Sequence, residues 1–555
     1  INTDFWEYLE KGDEYPLKDP KNGKIVRRVD ARKLFNLIAY NAWATADPGV
    51  LFFDVTNSRN VMKSFRGEVK VTNPCGEEPL YPYESCNLAS VNVGNFVVKT
   101  ETGEYEFDWE RFHNVTKFVA RILDNIICIN KYPLEEIDVA TKKSRRIGVG
   151  VMGVANALFM LKKRYNSKEG FAFMKKIAEH LTYSAFEQSA DIAVVRGTAP
   201  IYEMTDYKKG ELPIDGFYHK EEWTCDWDAL VGKIKMNGLR NIMVTTAPPT
   251  GSIGMIADAT TGIEPVFSLA FEKRVSVGSF YYTNEIFEEE LKKTGKYSNE
   301  LIKKIVENYG SLQGIDEEIP EEMKNVFVTS MDIHWADHIM AQASMQMWIT
   351  DSISKTINMP SDVTVEDIEQ AYLIAHELGC KGITIYRDKS KSKQVLNINA
   401  EVKKKEFKPG ISEYTSEILA TVMGGKPYLN DYIKIDMGRA ITQKSQQAVA
   451  VKIDEKAGSG PDALPKSVVE TSIVQMSLST HGAVLETAVA TNNGEITIPV
   501  QNANHMAPVQ GLKNSDMSKY CPQCLAMGRL SELINEGGCK HCTNPDCGWS
   551  ACAIS

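Results

Sequence analysis

The stretch "RRIGVGVMGVANAL", residues 145–158, constrains the fold most: a Gly-punctuated apolar strand that runs straight into a helix. It lies between two long patterns, 109–131 and 168–196, whose apolar residues recur at helical spacing, the second ending at Gly197. Residues 31–47 carry the same spacing. Residues 364–386 read as a helix, "TVEDIEQAYLIAHELG", followed by a strand, "KGITIY". Helices alternating with short apolar strands predict an α/β architecture. A chain of 555 residues exceeds one compact core, which implies a large body with smaller appendages.

The character changes after about residue 390, where "KSKSKQVLNINAEVKKKEFKPG" is Lys-rich and polar. The expected division is a body over 1–398, a linker over 399–420, an accessory region over 421–510 and a Cys-rich tail over 511–555. The net charge of −10 argues against a general nucleic-acid coat. No apolar run reaches transmembrane length and no secretory leader opens the chain, so a cytoplasmic protein away from membranes is expected. The opening, from Ile1, reads like the middle of something, and an upstream portion is expected to precede it.

Chemistry concentrates in "NPCGEEPLYPYESC", residues 73–86. If 73–77 is extended, alternate side chains share a side, and Asn73, Cys75 and Glu77 project into one site. A carboxylate serves as general base, an amide holds hydroxyls, and a thiol is a nucleophile or hydrogen-atom donor. The plainer reading is a turn, since Asn-Pro and Cys-Gly are common loop dipeptides. Cys86 adds a second thiol a short segment away, and two strands joined by "PLYPY" would bring it near Cys75. "PPTGSIG", 248–254, is suited to converging backbone N–H groups on an anion, although no Walker lysine follows. At the end, Cys521, Cys524, Cys539 and Cys542 form a CxxC…CxxC set with the spacing of a tetrahedral zinc site. Cys547 and Cys552, near the last residue, are placed to swing and exchange disulfides, or else share in the metal site.

Together these pieces resemble the ribonucleotide reductases. Asn73-x-Cys75-x-Glu77 matches the family's catalytic finger loop, and Cys86 its nearby redox cysteine. "RRIGVGVMG", "APPTGSI", "ATTGIEPVFS", "DSISKTINMP" and "GCKGITIYRD" resemble family blocks in family order over residues 1–398, and "CGWSAC" matches the redox tail. The resemblance implies part of a ten-stranded α/β barrel of two five-stranded halves around a central finger loop. It implies that a thiyl radical on Cys75 abstracts the ribose 3′ hydrogen, that Glu77 takes the 3′-hydroxyl proton, and that Asn73 holds the sugar hydroxyls. Cys86 and a partner thiol then supply two electrons as the 2′-hydroxyl leaves as water. Thr250, Gly251, Ser252 and Ile253 bind the substrate phosphates. Cys547 and Cys552 re-reduce the internal disulfide, and thioredoxin or a glutaredoxin-like reductant recharges them. The partner of Cys86 and most of the nucleotide-effector site lie upstream in the family.

Class I members receive their radical from a second subunit through two adjacent tyrosines. Here the matching stretch holds Thr384 and Ile385 before the single Tyr386, and the adjacent Tyr281 and Tyr282 fall in another segment. Class III members lack the Glu and carry a glycyl radical. The resemblance is therefore to class II, the adenosylcobalamin-dependent enzymes, with ribonucleoside diphosphates as substrates and a homodimer as the assembly. "DIHWAD", 332–337, begins like a cobalamin-binding Asp-x-His-x-x-Gly but has Asp337 in place of the Gly, so His334 reads as structural. The alternatives are a class I large subunit, an inactive structural homologue, and a zinc-bearing nucleic-acid module. The last should show a basic, aromatic-studded surface, which the net charge opposes.

Overall fold

The computed structural model describes residues 1–275, 278–315, 319–391 and 408–424, and short strands within 489–552. The chain forms two units, Ile1–Gln447 and Ala448–Ser555.

The first unit is built on a parallel set of strands. Asn87–Asn92 pairs in parallel with Ile147–Met152, all six of whose residues are buried. Val149 bridges in parallel to Thr245, and Ala247 bridges in parallel to Ile353. A few residues on, Thr356–Met359 pairs in parallel with Gly382–Arg387. Only Val50–Leu51 runs against them, antiparallel to Gly382 and Ile383. The set does not close into a barrel among the described residues. Long crossovers make such parallel neighbours possible, and here they are helical.

The helices form where the sequence periodicity places them. Trp109–Ile129 starts at Asp108, whose side chain accepts from Arg111 N–H. Lys168–Arg196 starts at Ser167, which accepts from Gly170 N–H, and stops at Gly197. Both pack over Ile147, Val149 and Val151 in the largest apolar core. A second core joins Ala31–Thr45, Trp335–Gln346 and Val365–Glu377 to Ile357, Met359, Ile383 and Ile385. Trp109–Ile129 thus buries one apolar stripe on the sheet, whereas Trp335–Gln346 is buried on all sides. Part of the stretch expected as linker is also ordered: Glu413–Gly424 is a helix, and Ser412 before it donates N–H and hydroxyl bonds to Asp337.

The glycines of the central strand have a steric purpose. A Cβ at Gly150 would lie 2.7 Å from Pro248 Cδ and 3.0 Å from the Thr246 carbonyl. Gly150→Ala should cost about 1–3 kcal/mol by overpacking and should push the start of the 248–254 loop outward. Urea unfolding of the variant beside the wild type measures the cost.

In the second unit, Leu533–Glu536, Cys539–Cys542 and Ser550–Cys552 form an antiparallel sheet in which Cys539 stands opposite Cys552. Cys521, Cys524 and Cys547 lie outside the described residues. Among the described residues no helix is long and apolar enough to cross a membrane.

Candidate active site

Residues 73–78 are the turn of a hairpin between the short strands Val71–Thr72 and Pro79–Leu80, not an extended segment. The alternating-side argument therefore fails, and the loop dipeptides determine the local shape. Asn73 braces the turn: its N–H donates to the Glu78 carbonyl, its Oδ1 accepts from Glu78 N–H at 3.0 Å, and its carbonyl accepts from Gly76 N–H. Gly76 takes φ 82°, a conformation that needs no Cβ. With its amide oxygen engaged, Asn73 presents the NH2 end as its donor.

The turn separates its two reactive side chains by depth. Cys75 is exposed at the tip. Glu77 is 3% exposed, and its Oε2 is buried without a hydrogen-bond partner. Partial burial, then the charge of Glu77, push the Cys75 thiol above its ordinary range, so it stays protonated at neutral pH. That suits a hydrogen-atom donor better than a thiolate nucleophile.

The hairpin is sewn to the sheet through one atom. The Glu77 carbonyl accepts from Thr246 Oγ1 at 2.9 Å and from Ser352 N–H at 2.9 Å. Thr246 stands two residues before the "PPTGSIG" loop. In that loop Thr250 adopts φ 55° and its Oγ1 accepts from Gly262 N–H at 2.6 Å. Gly251, Ser252 and Ile253 are exposed and open the short helix Gly251–Ile256, whose first N–H groups have no intrahelical acceptor.

Beneath the hairpin lies a buried ionic cluster that the sequence did not announce. Arg146, 1% exposed, bonds Asp351 and reaches Glu84 Oε2 at 3.4 Å. Glu84 also bonds Arg66. Lys381 donates to the Thr350 and Asp351 carbonyls at 2.7 and 2.6 Å. Burial pushes the Glu84 carboxyl up, but Arg146 and Arg66 outweigh it and hold it below the carboxylate range. Burial lowers Lys381 to about 8. Cys86 sits half-buried just before strand Asn87–Asn92. Burial, then the neighbouring Glu78 and Asp351 carboxyl groups, push its thiol well up. The faint signal for this cluster was a charged residue directly at the mouth of each apolar strand: Arg146 before "IGVGVM" and Lys381 before "GITIY".

The residues of "DIHWAD" are spent on the fold. Asp332 closes a capping box with Thr329 and accepts from Ser311. His334 Nδ1 accepts from Ala336 N–H at the start of Trp335–Gln346, as its structural reading expects. Asp337 accepts from Asn166 and Ser412. Of the tail cysteines, Cys539, Cys542 and Cys552 lie in strands whose backbone alone is described. Among the residues whose side chains are described, no group of three or more His, Cys, Asp or Glu could hold a metal ion.

A family model described as ribonucleotide reductase, barrel domain, matches residues 2–386. The chain is 39% identical over 438 residues to a vitamin B12-dependent ribonucleoside-diphosphate reductase of Thermoplasma acidophilum, covering 79% of this chain and 51% of that protein. It is 33% identical over 400 residues to one of Mycobacterium tuberculosis, covering 72% and 52%. It is 32% identical over 341 residues to a ribonucleoside-diphosphate reductase large subunit of Caenorhabditis elegans, covering 61% and 42%. The chain thus spans about half the length of the curated relatives it matches.

Proposed function

The chain belongs to the ribonucleotide reductase family, and we propose that it carries the reaction centre for reducing ribonucleoside diphosphates to 2′-deoxyribonucleotides. The observation that carries this reading is the hairpin itself. It holds an exposed, protonated thiol over a buried carboxylate oxygen that lacks a partner.

In this reading the Cys75 sulfur, as a thiyl radical, takes the ribose 3′ hydrogen and later returns it. Glu77 Oε2 accepts the 3′-hydroxyl proton; burial without a partner leaves it nothing else to bond. Asn73 donates its amide NH2 to a sugar hydroxyl, and Gly251, Ser252 and Ile253 offer backbone N–H groups to the phosphates. The Thr250 oxygen is occupied by Gly262, so this residue shapes the loop more than it grips the ligand. Cys86 supplies one thiol of the reducing pair, and the Cys547–Cys552 pair returns its electrons from a thioredoxin-type protein.

The names of the relatives and the lone Tyr386 favour class II over class I. The exposed Cys75 thiol leaves room for a bulky initiator, so the residues present fit adenosylcobalamin, with Cys75 as the residue facing it. Bound there, that group supplies a radical able to take the thiol hydrogen. The four cysteines Cys521, Cys524, Cys539 and Cys542 are a donor set suited to structural zinc. A ten-stranded barrel, nucleotide effectors, a homodimer and a cytoplasmic site complete the reading.

Glu77→Gln tests it. Gln preserves shape but accepts no proton, so deoxynucleotide formation by the intact enzyme should fall about 100-fold or more. Thermal unfolding should barely move. A variant that works at the wild-type rate would end the general-base assignment.

A further inference from the structure

Glu78, beside Glu77, has no part in the reaction just described, yet it is only 3% exposed. Both of its carboxyl oxygens are buried without a hydrogen bond of full geometry. Oε1 lies 3.0 Å from the place a Cβ would occupy on Gly148, in the same crowd as Leu88 Cδ2 and Thr246 Cγ2. Leu88 pairs with Gly148 across the sheet, two residues after Cys86. The carboxyl therefore sits over the strand that Cys86 leads into, and its neutral polar neighbours are the Cys86 thiol and the Thr246 hydroxyl.

The charges that face it are Asp351 and Arg146, with Glu84 and Lys381 in the same cluster and Glu77 adjacent in the chain. Arg146 and Lys381 already answer Asp351 and Glu84, and Arg66 meets Glu84 from a partly exposed position. No cation bonds Glu78 among the described residues. A carboxyl so placed is held as the neutral acid, and burial followed by the Asp351 charge raises it well above the carboxylate range. A thiolate on Cys86 would meet the same negative surroundings.

We propose that Glu78 is the proton donor to Cys86 during thiol–disulfide exchange, an inference that rests on reading Cys86 as a reducing thiol. In re-reduction, a dithiol that has lost one proton to solvent attacks the sulfur bonded to Cys86. A new disulfide bond forms, the bond to Cys86 breaks, and the electron pair leaves on the Cys86 sulfur. Glu78 gives that sulfur its proton and becomes the carboxylate. The second thiol of the dithiol then closes its own disulfide and passes its proton to the thiol it releases. Glu78 recovers its proton from solvent. One dithiol is oxidised, one disulfide is reduced, and no proton is left over. When Cys86 is oxidised in turnover, its proton leaves in the water formed from the 2′-hydroxyl, and Glu78 stays protonated for the next re-reduction.

The test uses the intact chain and needs no turnover. Methyl methanethiosulfonate converts accessible cysteines to S-methylthio forms. Mass spectrometry then follows the return of Cys86 under dithiothreitol from about pH 6 to about pH 9. Wild type should recover Cys86 about tenfold faster than Glu78→Gln at the acid end, with the gap closing as pH rises and the leaving sulfur depends less on a proton donor. Glu78→Asp, which keeps a carboxyl, should restore part of the rate. Cys128, exposed and hydrogen-bonded to Arg145 rather than to a carboxyl, should recover alike in all three chains. Recovery of Cys86 in Glu78→Gln at the wild-type rate and with the same pH profile would overturn the proposal. Repeated turnover by Cys86→Ser in the intact enzyme would remove the reaction Glu78 is proposed to serve. Loss of turnover in Cys86→Ser with unchanged recovery in Glu78→Gln would sink the Glu78 role alone.

Discussion

Cys75→Ser should abolish deoxynucleotide formation, by at least roughly 10⁴-fold, because no other group at the hairpin tip can accept and return a hydrogen atom. The serine O–H bond is too strong for the radical step, and its oxygen cannot store the radical. Folding should be indifferent. Cys75 is exposed, and a hydroxyl is no larger than its thiol, so stability should stay within about 0.5 kcal/mol. Product assay by mass spectrometry, paired with a thermal melt, separates the two effects. A variant that is inactive because it is unfolded would show it in the melt.

The largest loss of stability is expected at Arg146. Arg146→Met keeps the bulk but leaves the buried Asp351 without its ion-pair partner and the buried Glu84 with Arg66 alone. Breaking a buried pair from one side costs about 3–5 kcal/mol. The pH dependence has a definite sign. In the wild type, Glu84 is held below the carboxylate range, so its contribution is present above that range and lost as pH falls through the folded value. In the variant Glu84 keeps only Arg66, and Asp351, which burial already raises, loses the guanidinium that opposes that rise, so folding takes up more protons and costs more as pH rises. The gap between wild type and variant should therefore be smallest in acid and widest near neutrality. Urea unfolding at several pH values reads it directly. Because Asp351 precedes Ser352, which holds the Glu77 carbonyl, the variant should also loosen the hairpin.

The helices were legible because their information is local. Lys168–Arg196 has a Ser cap, a helical apolar period and a terminal Gly, all within one stretch. The strand Ile147–Met152 was legible for the same reason, being an unbroken apolar run bounded by charge. The finger turn was legible in composition but not in shape. Asn-Pro and Cys-Gly signal a turn, whereas the alternation of Asn73, Cys75 and Glu77 suggests an extended strand, and the turn residues prevailed. The Arg146–Asp351 contact joins residues 205 positions apart, and no local pattern encodes such a pair. Glu78 was hidden differently. In the sequence it is one more charge in an acidic loop, and its burial and the crowding at Gly148 show that it points inward. The tail was read from cysteine spacing, and half of its cysteines lie outside the described residues.

The most direct test of the central claim is isotopic. The intact enzyme is supplied with a ribonucleoside diphosphate carrying deuterium at C3′ and compared with the unlabelled substrate. Cleavage of the 3′ C–H bond by the Cys75 sulfur predicts slower reduction of the labelled substrate and deuterium at C3′ of the product. Equal rates alone would only show that another step limits turnover, so the label is followed as well. In Cys75→Ser, neither product nor exchange of the 3′ label should appear. Deoxynucleotide formed by Cys75→Ser at the wild-type rate, with the C3′–deuterium bond never broken, would contradict the account.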